Sequence, residues 1–463
     1  MFKSLRSLLA TPSEESRVNA GEYEPLSVGD DASSHRERDG LKDIRHEPKV
    51  YLSFWVLGAG VLMSWNALIC TIPLFITFFP ADSSSSVKSN LASYLSSSYC
   101  FGNLFFLGLA QRNVGNTSPS KRIHWSLLLL LVTAIILTFP LLPLVLPSLS
   151  PQLLFPTIIL ATVVLSISTA YLQSGVFALS ALWGSKEILA VMSGQGGIAV
   201  LVSLVQLILA IIATRNKQEE KGSKASTMAG VGLWAAGSIG TMACLVAHRY
   251  LMGHPEYSSI INSTSTRLPE DNPKEEKKGL TRKVFKKNSL LMVAVAWVFI
   301  VTLSIFPPIT TTIVSTHQPT PQLLQPDVFI PLHFLLFNIG DYCGRTYLPS
   351  IPLLFTTSPP RILSLSLLRT LFIPLIFLCN TTPRTSTPIL DSDLIYFLII
   401  VLLGLTNGYI GSLCMIVASS PELNKRIEED ERDVAGTLAS FCLVTGLAIG
   451  SAASFVVASL VKG

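Results

Sequence analysis

Apolar runs of membrane-crossing length recur along this chain, and they leave the helix as the one backbone solution open to it. A hydrocarbon layer about 30 Å thick takes roughly 17 to 25 apolar residues to cross. Runs of that kind lie near residues 51–79, 91–110, 124–146, 152–182, 189–213, 228–248, 289–314, 327–348, 360–379, 394–419 and 433–461. In lipid every backbone N–H and C=O must find its partner inside the segment, which a helix provides and an open strand does not. Of 463 residues, 49% are hydrophobic and only 14% charged, too apolar a balance for a soluble enzyme of this size. The expectation is an all-α integral membrane protein of eleven transmembrane helices.

An odd number of crossings puts the termini on opposite sides. With a cytosolic N-terminus, sixteen Lys and Arg near the span ends lie inside and seven outside. Positive residues are retained in the cytosol, so the N-terminus is placed there and the C-terminus outside. Arg215, Lys217, Lys221 and Lys224, all between the fifth and sixth runs, go against this orientation. Residues 1–50 are polar and mixed in charge, with no apolar core of a signal peptide, and read as a disordered cytosolic tail. The longest internal polar stretch, 251–288, carries Pro255, Pro269 and Pro273 and ends in Arg282, Lys283, Lys286 and Lys287. It divides residues 51–250, with six spans, from 289–463, with five. It reads either as the linker of two bundles that rock around a central site or as a plain tether.

The net charge of +5 is spread over loops, with no basic and aromatic stripe for nucleic acid. The seven cysteines sit in or beside apolar runs without CxxC spacing, so they read as small core residues and not as a disulfide framework or a zinc site. Pro73, Pro307, Pro308 and Pro374 predict kinks or breaks. Sequons stand at Asn116, Asn262 and Asn380, of which only Asn380 falls on the outer side, close to a span end.

The run from Phe334 to Arg345 sets an acid and a base inside an apolar stretch. At about 100° per residue, Phe334, Asn338, Asp341 and Arg345 share an arc of roughly 60°, while Gly340 and Gly344 share the back with His333, which reads as core. Ions at the bilayer centre cost roughly 2.5 to 3.5 kcal/mol on insertion scales, so they face a bundle interior or a watery cavity and mark a substrate path. The two glycines form a small-xxx-small helix contact. A purely structural i, i+4 ion pair that fixes register is the other reading of Asp341 and Arg345.

Further motifs accompany this run: Gly58-Ala59-Gly60-Val61-Leu62-Met63-Ser64-Trp65-Asn66 in the first span, Gln173-Ser174-Gly175 in the fourth, and Met192-Ser193-Gly194-Gln195-Gly196 in the fifth. Later spans carry Ile305-Phe306-Pro307, Arg369, Phe372-Ile373-Pro374, Asn407-Gly408-Tyr409 and Ala435-Gly436-Thr437. In this order the chain resembles the equilibrative nucleoside transporter family over all eleven spans. The resemblance implies two helical bundles in a six-plus-five, major-facilitator-like arrangement around a central cavity. It also implies that Gln173 reads the base edge, that Asp341 and Arg345 hold the ribose hydroxyls, and that Leu62, Trp65, Asn66, Ile69, Phe306, Phe334 and Asn338 shape the pocket. Ser64 stands where the family usually has Pro, which leaves a kink beside Trp65 open. Gly340 stands where relatives are often bulkier, which should only loosen the packing there.

Chemistry agrees with such a ligand: a flat base, ring donors and acceptors and ribose hydroxyls need an apolar slot, an amide and charged groups. Bland roles stand beside these, with Gln173 as a helix-to-helix hydrogen bond and Trp65 as an interfacial belt residue. Gly194, Gly196 and Gly197 read as packing residues, and Gln195, Arg369 and Asn407 as interhelical glue. No phosphate-binding glycine loop implies an ATP motor. Arg345 gives Asp341 a fixed positive partner, which argues against coupling to protons. The reading is therefore a facilitative alternating-access uniporter of purine and pyrimidine nucleosides, with no cofactor or metal, monomeric in its lipid bilayer, at the plasma membrane or a vacuolar or lysosomal one. A proton-linked nucleoside or nucleobase carrier of a vacuolar or lysosomal membrane is the alternative. Scattered histidines and the lack of a repeated charge ring argue against a membrane enzyme and a channel.

Overall fold

The apolar runs fold as helices, and their ends follow local chemistry. The computed structural model describes residues 47–77, 79, 85–112, 117–138, 150–215, 219–265, 273–317, 319–381 and 388–462. An N-terminal group comprises α1 (Pro48–Thr77), α2 (Ser85–Arg112), α3 (Pro119–Thr138), α4 (Pro151–Trp183), α5 (Ser185–Arg215) and α6 (Glu219–Met252). Two shorter helices, α7 (Tyr257–Ser265) and α8 (Pro273–Lys287), occupy the polar stretch. A C-terminal group follows: α9 (Ser289–Ile305), α10 (Pro326–Thr346), α11 (Pro359–Leu368), α12 (Phe372–Phe377), α13 (Asp393–Ser419) and α14 (Arg432–Lys462).

Among the described residues, eight segments are long and apolar enough to cross a membrane: α1, α3, α4, α5, α9, α11 together with α12, α13 and α14. In α10 the polar residues Asp327, His333, Asn338, Asp341 and Arg345 lower the apolar balance. Residues 1–46, the end of the third apolar run and Asn116 lie outside the described residues.

Three of the proline expectations meet a break and one does not. α1 runs unbroken through Pro73. α9 stops at Ile305, and Phe306, which precedes Pro307, is extended (φ −110°, ψ 124°), because a following proline ring disfavours the helical region. The ninth run splits into α11 and α12 around a tight turn, Arg369–Leu371. That turn contains Thr370, the residue whose carbonyl Pro374 leaves without an N–H partner.

Within the N-terminal group α1 packs on α5 and α6, and α4 on α2 and α3; within the C-terminal group α9 packs on α14, α11 and α13, and α10 on α13. The two groups meet along two seams, α5 with α10 and α13, and α14 with α4 and α2. The α10–α13 pair is in backbone contact. A Cβ on Gly340 would stand 2.4 Å from the Val401 carbonyl oxygen, and one on Gly344 2.1 Å from that of Leu405. The partner helix answers with Gly404 and Gly408, whose Cβ atoms would fall 2.2 Å from Phe337 O and 2.0 Å from Asp341 O. The expectation that Gly340 loosens this contact is therefore corrected: it lets two backbones touch, and a side chain has no room there.

The polar stretch carries the helices α7 and α8 and is anchored at both ends. The Tyr257 hydroxyl meets Ser120 on α3, and His254 lies edge-on to Trp183. At the other end Lys287 donates to Glu428 (2.8 Å) and Glu431 (2.7 Å), just before α14. These anchors mark one end of the molecule, the linker face. Asn380 turns its amide inward and donates to Val314 O (3.1 Å), which leaves that sequon half-buried.

Candidate functional site

α10 starts on Pro326, whose missing N–H is harmless in a first turn. From there the helix carries its polar arc along α5. Phe334 packs edge-on against Phe306 (centroids 5.1 Å apart), and Phe306 stacks on Phe337 at 4.1 Å. One turn on, Asn338 donates to the Ser203 hydroxyl and, at 3.4 Å, to Ala199 O, both on α5.

Asp341 and Arg345 follow. Arg345 Nε donates to Asp341 Oδ2 at 2.6 Å, and the two residues are only 4% and 5% exposed. Arg345 Nη1 reaches across the seam to Gln195 Oε1 (3.3 Å) and Met192 Sδ (3.8 Å). The second carboxylate oxygen, Oδ1, accepts from Asn407 Nδ2 at 2.7 Å. Toward the linker face Thr346 donates to the Ser193 hydroxyl at 3.1 Å. Gly196 lets the helices approach this closely, since a Cβ there would lie 3.1 Å from Tyr342 Cα and 3.3 Å from Arg345 Cδ. Of the two surroundings open to Asp341 and Arg345, a bundle interior and a watery cavity, this conformation shows the first. Both side chains are sealed in the α5–α10 seam, because α5 supplies a polar partner and a small residue where the guanidinium lies.

The second seam holds Gln173. Its Nε2 donates to Ser440 Oγ on α14 at 2.9 Å, so in this conformation the amide ties α4 to α14. On α1, Leu62, Trp65, Asn66 and Ile69 line one half-exposed face, while Val61, Ser64 and Leu68 are buried behind it. Trp65 packs at a tilt on Tyr99 of α2 (centroids 4.5 Å apart), a contact between helices. Asn66 returns its amide to Leu62 O (2.8 Å). Ser64, in place of the family's usual proline, shares a hydrogen bond with Thr169 (3.1 Å), which also accepts from Tyr99 (2.9 Å). The helix assignment of α1 is continuous there.

The structure thus brings together Phe306, Phe334, Asn338, Asp341 and Arg345, whereas Gln173 and the α1 face make other contacts. Arg369 and Asn407 join helices, as expected. Arg369 donates to Leu403 O (3.0 Å), to Thr406 and to Thr302 Oγ1 (2.6 Å). Gln195 crosses between the groups. His333 is fully buried. Sequence reasoning missed Ser203, Ser440 and Tyr99. For Ser203 a signal existed, since Gln195, Ala199 and Ser203 stand four residues apart and share a face.

Comparisons with known proteins fit this geometry. Residues 251–459 match the family described as nucleoside transporter. Equilibrative nucleoside transporter 2 of Mus musculus is 30% identical over 89% of this chain and 97% of its own length. The chain belongs to the equilibrative nucleoside transporter family. Equilibrative nucleoside transporter 2 of Homo sapiens is 27% identical over 91% of this chain and 99% of its own. The nucleoside transporter FUN26 of Saccharomyces cerevisiae is also 27% identical, over 88% and 83%. Among solved structures, the major facilitator superfamily proton:xylose symporter XylE aligns with a TM-score of 0.55 at 12% identity, covering 87% of each chain. FucP, of the same superfamily, aligns at 0.52 and 11%, covering 91% of this chain and all of its own. This member of the nucleoside transporter family therefore has the major facilitator fold.

Proposed function

We propose that the chain is a facilitative carrier of purine and pyrimidine nucleosides, with eleven spans in bundles of six and five around a central site. The N-terminus and linker are cytosolic, the C-terminus is outside, and the working unit is a monomer. Supporting this reading are the family and one observation: the charged pair of α10 lies on the seam between the groups, and its guanidinium reaches across to Gln195. A carrier that opens on the linker face must part that seam, which turns Asp341 and Arg345 towards the entering solute. There the carboxylate accepts the ribose hydroxyls and the guanidinium donates to them. Phe306, Phe334 and the α1 face of Leu62, Trp65, Asn66 and Ile69 take the base and sugar faces, Asn338 adds a polar contact, and Gln173 reads the base edge once it releases Ser440. No bond is made or broken, so net flux follows the gradient.

Uptake of radiolabelled uridine and adenosine into proteoliposomes tests this. Saturable uptake, level between about pH 5.5 and 7.5 as for a carrier that moves no proton, is expected for the wild type and absent in Arg345→Ala. Unchanged uptake in that variant removes the assigned site. A steep rise on acidification that Asp341→Asn abolishes replaces uniport by proton coupling.

A further inference from the structure

We infer that Asn407 and Arg369 are positioning residues that hold Asp341 aimed at the substrate while Arg345 changes partners. The inference rests on the nucleoside-carrier reading and deepens it. Asp341 is gripped twice, and the two grips differ in kind. Arg345 also bonds Gln195 and Met192 across the seam, so that grip shares its donor with a surface that must part. The other grip stays inside one group. Asn407 Nδ2 donates to Asp341 Oδ1 (2.7 Å), while its Oδ1 accepts from Thr302 Oγ1 (2.8 Å) and, more weakly, from Arg369 Nη2 (3.4 Å).

The chemistry at this point calls for a group that both donates and accepts, as an amide does. Arg369 can only donate and an ionised carboxylate can only accept, so the residue between them must do both. The donors on the Arg369 side fix which end of the amide faces Asp341. Thr302 has one hydroxyl proton, shared between Asn407 and Val298 O (2.9 Å), and accepts from Arg369, so it braces the relay from α9. Rigidity comes with it: Gly408, next to Asn407, lies against the Asp341 backbone, and the α10–α13 contact leaves no slack for the two to separate. The charged groups facing Asp341 are Arg345 on α10 and, through Asn407, Arg369 after α11; α5 presents only Gln195 and Met192 to the pair.

The test is uridine uptake into proteoliposomes by wild type, Asn407→Asp and Thr302→Val, each at pH 7.5 and 5.5, with KM and maximal rate resolved. Asn407→Asp sets a second carboxylate against the first, and the repulsion favours uptake of one proton between them as the pH falls. Its KM is expected to rise roughly ten-fold or more at neutral pH, the scale of one charge-assisted hydrogen bond. It should recover in part at pH 5.5, when a proton replaces the lost amide donor. The milder Thr302→Val, which frees the amide to turn over, is expected to raise KM a few-fold with the maximal rate nearly kept. A purely structural role lowers the maximal rate with protein yield and leaves KM and its pH response as in the wild type, which overturns the inference. Should Asn407→Asp not accumulate, an unchanged KM in Thr302→Val overturns it as well. No uptake by the wild type refutes the carrier reading instead.

Discussion

The burial of Asp341 and Arg345 makes the energetics of the pair asymmetric. Removing one partner of a buried ion pair costs about 3 to 5 kcal/mol, because the other is left without its counter-charge, whereas replacing both by uncharged groups of similar size is often near neutral. Arg345→Met is therefore expected to lower unfolding stability by roughly that much. Adding Asp341→Asn should return most of it, since the new amide oxygen still accepts from Asn407 and methionine fills the space beside Met192. Uptake should stay absent in both. Denaturant unfolding of the purified proteins, run beside uptake, separates structure from function: a double variant that transports ends the substrate role, and one as unstable as the single variant ends the pair as a charge pair. The polar arc of α10 was legible in the sequence because a charge in an apolar run is conspicuous and helical spacing places it. What Asp341 and Arg345 touch was not, since Gln195 and Asn407 lie 150 and 66 positions away and only packing brings them in.

At the scale of elements, the α10–α13 contact shows how a half-visible signal becomes a structure. Gly340 and Gly344 announced a close approach, but Gly404 and Gly408 stand in a long apolar helix where small residues carry no contrast. Pairing the two sets needs the tertiary register. The split of the ninth run has the same character: Pro374 warns of a break, yet its place at Arg369–Leu371 depends on which carbonyl the ring strands. The glycine contact predicts a contrast within one protein. Gly408→Ala would drive a methyl to 2.0 Å from Asp341 O, forcing two backbones apart at a loss of about 1 to 3 kcal/mol and moving Asn407 away from the carboxylate. Gly232→Ala on α6, with nothing within 4 Å of its added carbon, should be neutral or gain about 0.4 to 1 kcal/mol by stiffening the unfolded chain. Thermal unfolding of both variants in one detergent checks this, and equal shifts would show that the close approach does not govern stability.

Across the whole molecule, the two seams make a statement about state. Ser193 with Thr346 and Arg345 with Gln195 close the α5–α10 seam toward the linker face, while Gln173 with Ser440 closes the other. The α1 face that carries Trp65 is by contrast half-exposed. A facilitator has no energy source beyond the solute gradient, so each of these bonds must be weak enough to break thermally in every cycle. Neutral hydrogen bonds of about 0.5 to 1.5 kcal/mol net, and one from a charged donor at about 1.5 to 3 kcal/mol, fit that need. A covalent bond in the same place does not fit it. With Cys343→Ser as background, Ser193→Cys and Thr346→Cys put thiols where two hydroxyl oxygens already touch across the seam, 3.1 Å apart, so that a small side-chain adjustment brings the sulfurs to bonding distance. Oxidation is expected to cross-link the pair and reduce nucleoside uptake to that of empty liposomes, and reduction to restore it, with single-cysteine variants unaffected. Full transport by cross-linked protein would mean that this seam stays shut throughout the cycle. The site would then have to open between α4 and α14 alone, leaving Arg345 as a fixed strut instead of a moving contact.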